Sequence, residues 1–382
     1  MTSRPIYLDH AATAPLHPAV LEAMLPWLAE NSCNPAAAYA GAREAEAAVE
    51  RARAQCAGVI GALPVEIVFT SGGTESDNHA LLAAVELTGK TQIVTTSVEH
   101  PAVLRACEAL EARGVRVTRL PVNREGVVSL SAAERAIGPD TALVSVMAAN
   151  NEVGTIQPLA ALGELCRSRG VLLHTDAVQA YGHIPLDAEE MRFDLLSASA
   201  HKLGGPKGVG LLYIRRGTDL PPLLRGGGQE NGLRSGTVNV PGIVGFGEAA
   251  QRAAESLSEN ASRIAALRDR LIDRILTENP GASLNGSTTA RLPGNAHVSF
   301  PGIDGAELVA LLDAAGVWAS SGSACSARSG SPSHVLAAMG LGDEEVRGSL
   351  RLTLGEENTE KEIDLAADAI RRAAAGLKEF DF

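Results

Sequence analysis

Short apolar runs alternate with helical patterns through the first two-thirds of the chain. The runs predict strands at 66–70, 92–96, 115–120, 142–147, 171–176, 193–199 and 208–214. Several intervening segments carry apolar residues at helical spacing, at 74–89, 101–114, 129–137 and 158–170. This alternation predicts an α/β fold in which helices cover a largely parallel sheet. In such sheets, ligands bind beyond the carboxyl ends of the strands.

The last third of the chain has a different pattern of apolar and polar residues. From about Gly242 to Leu276 the chain is rich in Ala, Leu, Arg and Glu, which predicts a long helix that leads into a second unit. Shorter apolar runs then lie at 296–300, 306–316, 332–340 and 350–354, and a closing helix is predicted from about Thr359. This mixture predicts a small α+β domain.

Composition narrows the possible functions. Of the 382 residues, 45% are hydrophobic and 20% are charged, as in ordinary globular proteins. The formal net charge of -12 argues against nucleic-acid binding as the main function. The N-terminal segment has no apolar run suited to a signal peptide, and no segment approaches the ~20 apolar residues of a membrane span. We therefore expect no direct contact with nucleic acid or membrane.

The five cysteines lie far apart in the sequence, at Cys33, Cys56, Cys107, Cys166 and Cys325. Their odd number and the lack of a CxxC pair argue against a disulfide framework and against a zinc site. We therefore expect a cytoplasmic protein without a metal site. Cys56, Cys107 and Cys166 stand at helical spacing with apolar residues, which predicts that they are buried small hydrophobic side chains.

Three polar segments next to predicted strands carry the candidate chemistry. In Thr70–Glu75, glycines let backbone N–H groups approach an anion at a helix N-terminus, although the pattern also suits a simple capped helix start. Asp176 ends a strand, where a carboxylate is either structural or the partner of a protonated ring nitrogen. Lys202, in the segment SAHK, is one of only five lysines and is a candidate Schiff-base former. Lys207 competes for that role, but its place in GPKGVG suits a turn.

The ordered series of motifs resembles the class V aminotransferase family and, within it, the cysteine desulfurases that have an extended catalytic-cysteine loop. The resemblance covers nearly the whole chain. The motifs that carry it are YLDHAATAP, EIVFTSGGTESDN, EHPAVL, NNEVGTIQP, HTDAVQA, SASAHKLGGPKGVG, GGGQENGLRSGT, SSGSACS and LRLTLG. Any one of them alone would be weak evidence, whereas the full ordered series is specific.

The resemblance implies the aspartate aminotransferase-like fold of enzymes that use pyridoxal 5'-phosphate. A large domain, 15–257, would contain a mostly parallel seven-stranded sheet. A small α+β domain, 1–14 and 258–382, would carry the catalytic-cysteine loop at about 320–334. The implied reaction converts L-cysteine to L-alanine, with the sulfur held on Cys325 as a persulfide. An acceptor protein would then take it for iron–sulfur assembly, thiolation of tRNA or cofactors, or DNA phosphorothioation.

Matching positions imply the roles of residues around the cofactor. Lys202 would bond the cofactor aldehyde and act as a catalytic base, and Asp176 would pair with the pyridine nitrogen. Gln179 would reach the ring hydroxyl oxygen, and His100 would stack on the ring and shuttle protons. The phosphate would be held by Gly73, Thr74, Ser199 and His201.

The resemblance also implies a substrate site and a homodimer. Arg351 would bind the substrate carboxylate, where a bidentate guanidinium suits the geometry. Asn151 would lie close to that carboxylate and to the ring, and Asn34 would contribute to the substrate site. Thr237 would reach the phosphate bound by the neighbouring subunit, which makes a homodimer the expected assembly.

Cys325 lies in SSGSACSARSGSPSH, a stretch of small, polar and turn-forming residues. This composition predicts a mobile surface loop. Arg328 would favour the thiolate, which is the form that attacks. A catalytic role therefore suits Cys325 better than burial, whereas a passive role is expected for Cys33.

The chain departs from the family pattern in places. The segment AAAYAG after Asn34 and Pro35 is about two residues shorter than usual, and Glu356 and Glu357 stand where a basic and an aromatic residue are common.

Two alternative functions are weighed against the cysteine desulfurase. Another class V enzyme, an aminotransferase or a lyase of selenocysteine or cysteine derivatives, would act without Cys325. A non-catalytic sulfur-relay scaffold would have lost the Schiff-base lysine or its ring partner, and neither is lost here.

Overall fold

The computed structural model describes residues 4–322 and 332–379, which form twelve strands and twelve α-helices. The strands are β1 (Ile6–Tyr7), β2 (Ile67–Thr70), β3 (Gln92–Thr96), β4 (Arg116–Leu120), β5 (Thr141–Ser145), β6 (Leu172–Asp176), β7 (Leu195–Ser199), β8 (Gly210–Ile214), β9 (Ser283–Leu284), β10 (Asn295–Ser299), β11 (Val317–Trp318) and β12 (Ser349–Thr353). The helices are α1 (Pro18–Ala29), α2 (Ala40–Gly58), α3 (Gly73–Thr88), α4 (Pro101–Glu111), α5 (Leu130–Ala136), α6 (Leu159–Arg169), α7 (Ala188–Met191), α8 (Val240–Glu278), α9 (Gly305–Ala314), α10 (His334–Ala338), α11 (Asp343–Arg347) and α12 (Glu360–Glu379).

Seven strands form the central sheet, in the order β2-β8-β7-β6-β5-β3-β4. Only β8 runs antiparallel to its neighbours, and the remaining pairs are parallel. Strands buried on both faces explain the continuous apolar runs in the sequence. In β7, for example, Leu195 and Leu196 belong to hydrophobic cores on opposite faces of the sheet. The predicted α/β fold with a mostly parallel sheet is confirmed.

A separate hydrophobic core surrounds a three-stranded antiparallel sheet, β12-β10-β9. Helix α8 contributes to both cores, because Ile243 and Phe246 pack at the central sheet while Leu267 and Leu271 pack at the small one. The predicted long helix is therefore present and extends slightly beyond its predicted bounds. The division into 15–257 and 1–14 with 258–382 stays a prediction.

The N-terminal segment connects the two sheets. Strand β1 pairs with β11, and the Leu8 carbonyl accepts a hydrogen bond from the Thr353 N–H at 2.7 Å. Farther along, the Ala14 N–H donates to the His201 carbonyl at 2.8 Å, just after β7. The segment 8–14 thus passes from the small sheet to the carboxyl end of a central strand.

Helices α1 and α2 were not predicted from the apolar pattern. In α2 the buried face is built largely from alanines, including Ala42, Ala45 and Ala48, so the contrast between its faces is weak.

Within the described ranges, no helix combines the length and the apolar character needed to cross a membrane.

A buried ion pair fixes the loop that follows β8. The Arg53 guanidinium donates to both carboxylate oxygens of Glu230, at 2.7 and 2.9 Å, and their side chains are 8% and 3% exposed. Glu230 also accepts the Phe69 N–H at 2.8 Å and has a positive φ of 49°. A non-glycine residue in that conformation needs strong local contacts. The pair therefore holds the loop in place against backbone strain.

We expect Glu230→Ala to lower the free energy of unfolding by about 3 kcal/mol or more, because Arg53 would keep a buried, unpaired charge. Glu50 also binds Arg53, but its side chain is 56% exposed, so Glu50→Ala should cost at most about 1 kcal/mol. Urea unfolding of both variants measures the difference. Equal losses would contradict the importance of the buried pair.

Candidate active site

Several of the predicted site residues gather at one edge of the central sheet. Thr70, Asp176 and Ser199 are the last residues of β2, β6 and β7, and these strands point the same way. The loops after β3 and β5 carry His100 and Asn151 to the same edge. This is the ligand-binding edge expected for a parallel α/β sheet.

A cavity of about 400 Å³ at this edge has the character of an anion site. Its lining includes Thr13, Gly73, Thr74, Ser199, His201 and Lys207. The first turn of α3, starting at Gly73, directs its N–H groups and the positive end of its dipole outward. A Cβ at Gly73 would come 2.5 Å from the Val178 methyl group, so only glycine fits here. The phosphate-binding residues predicted within this subunit therefore share one cavity.

His201 is a neutral member of this cavity. Its pKa is lowered to about 4, first by burial and then by the positive charges of Lys202 and Lys207. Its Nδ1 lies 3.1 Å from the Thr13 hydroxyl. Positive charge in this cavity therefore comes from the helix end and from Lys207, while the Glu75 carboxylate in the lining is paired with Arg234 at 2.9 Å. Lys207 lies in a turn, as predicted, but it also lines the cavity.

Lys202 contacts the N-terminal segment. Its Nζ donates to the carbonyls of Ala11 and Ala12, at 2.5 and 2.9 Å. The Gln179 amide also donates to the Ala11 carbonyl, at 3.0 Å. These backbone oxygens hold the amine beside the anion cavity, which Ala12 also lines.

Asp176 is buried, with 5% exposure, and its Oδ1 accepts the Val178 N–H at 2.9 Å. Burial raises the pKa of Asp176, while His100, the Val178 N–H and Lys202 act in the opposite direction. A buried carboxylate with open bonding capacity suits a protonated ring nitrogen, which would supply both a charge and a donor.

His100 faces this carboxylate. Its Nδ1 accepts the Ala102 N–H at 3.1 Å and thereby caps α4. Burial is the main reason that the pKa of His100 is lowered. Candidate ligand atoms of His100, Asp176 and Asp77 lie within 4.8 Å of one another. The cap leaves Nε2 as the ring atom available for proton transfer.

Two buried acids beneath the site were not predicted from the sequence. Asp77 is 1% exposed, and its Oδ1 has no hydrogen-bond partner among the described residues. Burial and the charge of Asp176 raise the pKa of Asp77 well above its usual range. Glu99 is fully buried, and burial raises its pKa to about 8. Nearby His174 is neutral, since burial lowers its pKa to about 3.

Arg351 occupies the far side of the site, on β12. Its side chain is 2% exposed, and it donates to Asp9 Oδ1 at 2.7 Å and to the Asn151 carbonyl at 3.2 Å. The predicted pair of substrate residues, Arg351 and Asn151, is thus in direct contact. Asp9 is an additional residue of the site, and it lies in the motif YLDHAATAP.

Other predicted residues lie apart from this cluster. Thr237 is exposed and does not line the phosphate cavity of its own chain. Asn34 is exposed, and its Oδ1 accepts the Ala36 N–H within its own turn. Cys325 and Arg328 lie outside the described residues. Cys56, Cys107 and Cys166 are buried as predicted, and Cys33 is partly exposed.

The donors at this edge match the chemical groups of pyridoxal phosphate. The cavity at the start of α3 offers backbone and hydroxyl donors for a phosphate, and the glycine there lets the start of the helix pack closely against Val178. A lysine amine lies beside it, and a buried carboxylate lies at the end of β6. These residues fit the phosphate, the aldehyde and the ring nitrogen of this cofactor.

Comparison with known proteins identifies the family. The sequence model of the family described as aminotransferase class-V matches residues 6–365. The chain therefore belongs to the class V aminotransferase family.

Individual relatives confirm the predicted resemblance to cysteine desulfurases. The cysteine desulfurase IscS of Methanosarcina thermophila is 46% identical over 378 residues, which are 98% of this chain and 93% of the relative. A solved NifS-like protein superposes with a TM-score of 0.91 at 41% identity, covering 97% of this chain and 100% of the other. A structure of SspA in complex with cysteine gives a TM-score of 0.81 at 38% identity, covering 91% and 98%.

The buried acid Glu99 predicts a pH-dependent stability. Its pKa is raised from 4.5 to about 8, so the folded protein keeps a proton that the unfolded chain has lost between these values. The stability that comes from this proton is present below pH 4.5 and is lost as the pH rises to about 8. Because glutamine has no such proton, Glu99→Gln should lose less stability than the wild type between about pH 5 and 8.

Urea unfolding of the cofactor-free protein at several pH values measures this slope. Glu108→Gln is the matched control, since Glu108 lies on α4 with a side chain that is 48% exposed. Identical slopes for wild type and Glu99→Gln would contradict a protonated Glu99.

Proposed function

We propose that this protein is a cysteine desulfurase that uses pyridoxal 5'-phosphate to convert L-cysteine to L-alanine. One arrangement carries the proposal: Lys202, Asp176 and an anion cavity meet at the strand ends, with Arg351 opposite them. Similarity to relatives named cysteine desulfurases, and to SspA in complex with cysteine, supports the choice of substrate.

The residues would divide the work as follows. When bound, the cofactor supplies an electron sink that labilises bonds at the substrate Cα. Lys202 would hold the cofactor aldehyde and, once displaced by the substrate amine, take the Cα proton on Nζ. Asp176 would keep the ring nitrogen protonated, and Gln179 would orient the ring hydroxyl. Arg351 and Asn151 would bind the substrate at its carboxylate.

Sulfur transfer would occur at Cys325. Its thiolate would attack the sulfur of the substrate, forming an S–S bond while the C–S bond breaks. The bonding electrons stay with the carbon skeleton, which takes up a proton and leaves as L-alanine. The balance is one L-cysteine and one thiol consumed for one L-alanine and one persulfide formed. The four described cysteines form no disulfide, which suits a reducing compartment, so we assign the protein to the cytoplasm.

We also propose a homodimer that passes sulfur to an acceptor protein. Thr237 is exposed and does not line its own chain's phosphate cavity, which agrees with a role in the cavity of a second copy. The acceptor would take the persulfide sulfur for iron–sulfur assembly, thiolation, or DNA phosphorothioation. The acidic net charge of -12 favours a basic protein surface over direct contact with nucleic acid.

The lysine assignment can be tested directly. We expect Lys202→Ala to abolish the visible absorption of covalently bound cofactor, because the amine that reaches the aldehyde is gone. Lys207→Ala is the matched control, since Lys207 lines the same cavity. Its covalent attachment should persist, although phosphate binding should weaken. Borohydride reduction and peptide mapping identify the modified lysine, and a label on Lys207 in the wild type would refute the assignment.

The role of Cys325 can be tested separately. Cys325→Ser should keep the cofactor absorption and bind L-cysteine, yet lose alanine release by at least about a hundredfold, because a hydroxyl is a poor acceptor of sulfur. The partly exposed Cys33 provides the control Cys33→Ser, which should turn over normally. Normal alanine release by Cys325→Ser would favour another class V lyase. Formation of a keto acid would indicate an aminotransferase.

A further inference from the structure

The guanidinium of Arg351 is held at two of its nitrogens. Nη2 donates to Asp9 Oδ1 at 2.7 Å, and Nη1 donates to the Asn151 carbonyl at 3.2 Å. Nε is buried and has no hydrogen-bond partner among the described residues. A guanidinium has five N–H donors in a fixed plane, so these two bonds fix the plane and leave donors for another acceptor.

Asp9 is itself tightly positioned. It forms an isolated β-bridge with Thr353, two residues beyond Arg351 on the same strand. The Ala11 N–H donates to the Thr353 hydroxyl at 2.9 Å, and the Tyr7 hydroxyl donates to the Asp9 carbonyl at 3.0 Å. The Asp9 side chain is 20% exposed, compared with 2% for Arg351. The carboxylate therefore belongs to a rigid segment and marks the more open side of the guanidinium.

Electrostatics explains why Asp9 lies against the buried guanidinium of Arg351. A buried guanidinium without a counter-charge is costly, and removing one partner of a buried pair is strongly destabilising. Asp9 supplies the counter-charge before a substrate arrives, while the Asn151 carbonyl adds a bond without a charge. Without Asp9, the guanidinium would turn toward other acceptors or toward water.

We propose that Asp9 is a positioning residue for substrate selection: it orients Arg351 so that the remaining donors meet the carboxylate of an amino acid. The inference rests on the proposed function and extends it, because it assigns the preference for amino acids over simple amines to a pair, Asp9 and Arg351. Asp9 acts through Arg351 and does not need to touch the substrate.

The test uses two probes that react with the cofactor aldehyde and abolish the visible band of the holoenzyme. Aminooxyacetate carries a carboxylate, and methoxyamine lacks one, so the ratio of their second-order rate constants reports carboxylate recognition. We expect Asp9→Ala to lower this ratio about tenfold, the size expected for a lost charge-assisted contact. Asp9→Asn keeps an acceptor for Nη2 and should restore the ratio to within about threefold of the wild type.

Matched variants separate positioning from general damage. Glu357 is a neighbouring acid that binds His10 rather than Arg351, and Glu357→Ala should leave the ratio unchanged. Arg351→Ala should lower the ratio, and adding Asp9→Ala to it should cause no further loss. Should Asp9→Ala fail to fold, Asp9→Ser carries the same expectation, because its short hydroxyl cannot replace the carboxylate.

The outcomes distinguish this inference from the proposed function. If Asp9→Ala slows both probes equally, or if its effect adds fully to that of Arg351→Ala, the positioning role is overturned. Alanine release from L-cysteine by the wild type is measured separately. Its absence, with a normal response of the ratio, would refute the desulfurase assignment and leave the carboxylate-orienting pair standing.

Discussion

The site depends on backbone carbonyls that hold an amine. The oxygens of Ala11 and Ala12 accept hydrogen bonds from Lys202 Nζ, and the Ala11 oxygen also accepts one from Gln179. A carbonyl places a cationic or neutral amine without adding a full negative charge beside it. Ala11 and Ala12 belong to the N-terminal segment, which is hydrogen-bonded to β12. The position of Lys202 therefore depends on the position of the small sheet.

Buried ionisable groups lie on two sides of this amine. On the side of the central sheet, Asp176 lies above Asp77 and Glu99, whose pKa values are raised mainly by burial. On the side of the small sheet, Arg351 is compensated by Asp9. The Asp176 carboxylate thus lies at the central sheet, and the Arg351 guanidinium lies at the small sheet. The two sides of the pocket therefore carry side chains of opposite charge.

Much of this could be predicted from the sequence, for specific physical reasons. The central strands are buried on both faces, so their apolar runs are conspicuous, and Asp176 and Ser199 lie at strand ends where ligands bind. Helix α2 was missed because alanines such as Ala45 form its buried face. Asp77 and Asp9 gain their significance from contacts with residues far along the chain, which local patterns do not reveal.

The long-range partnership of Asp9 has a consequence for biosynthesis. Asp9 and its arginine are separated by 342 positions, so one half of the pair leaves the ribosome near the start of translation and the other near its end. Every strand of the central sheet leaves the ribosome before that arginine, whereas the pair of Asp9 and Arg351 can form only after β12 has emerged. A truncated product that lacks the last strand would therefore leave the Asp9 carboxylate without its guanidinium partner.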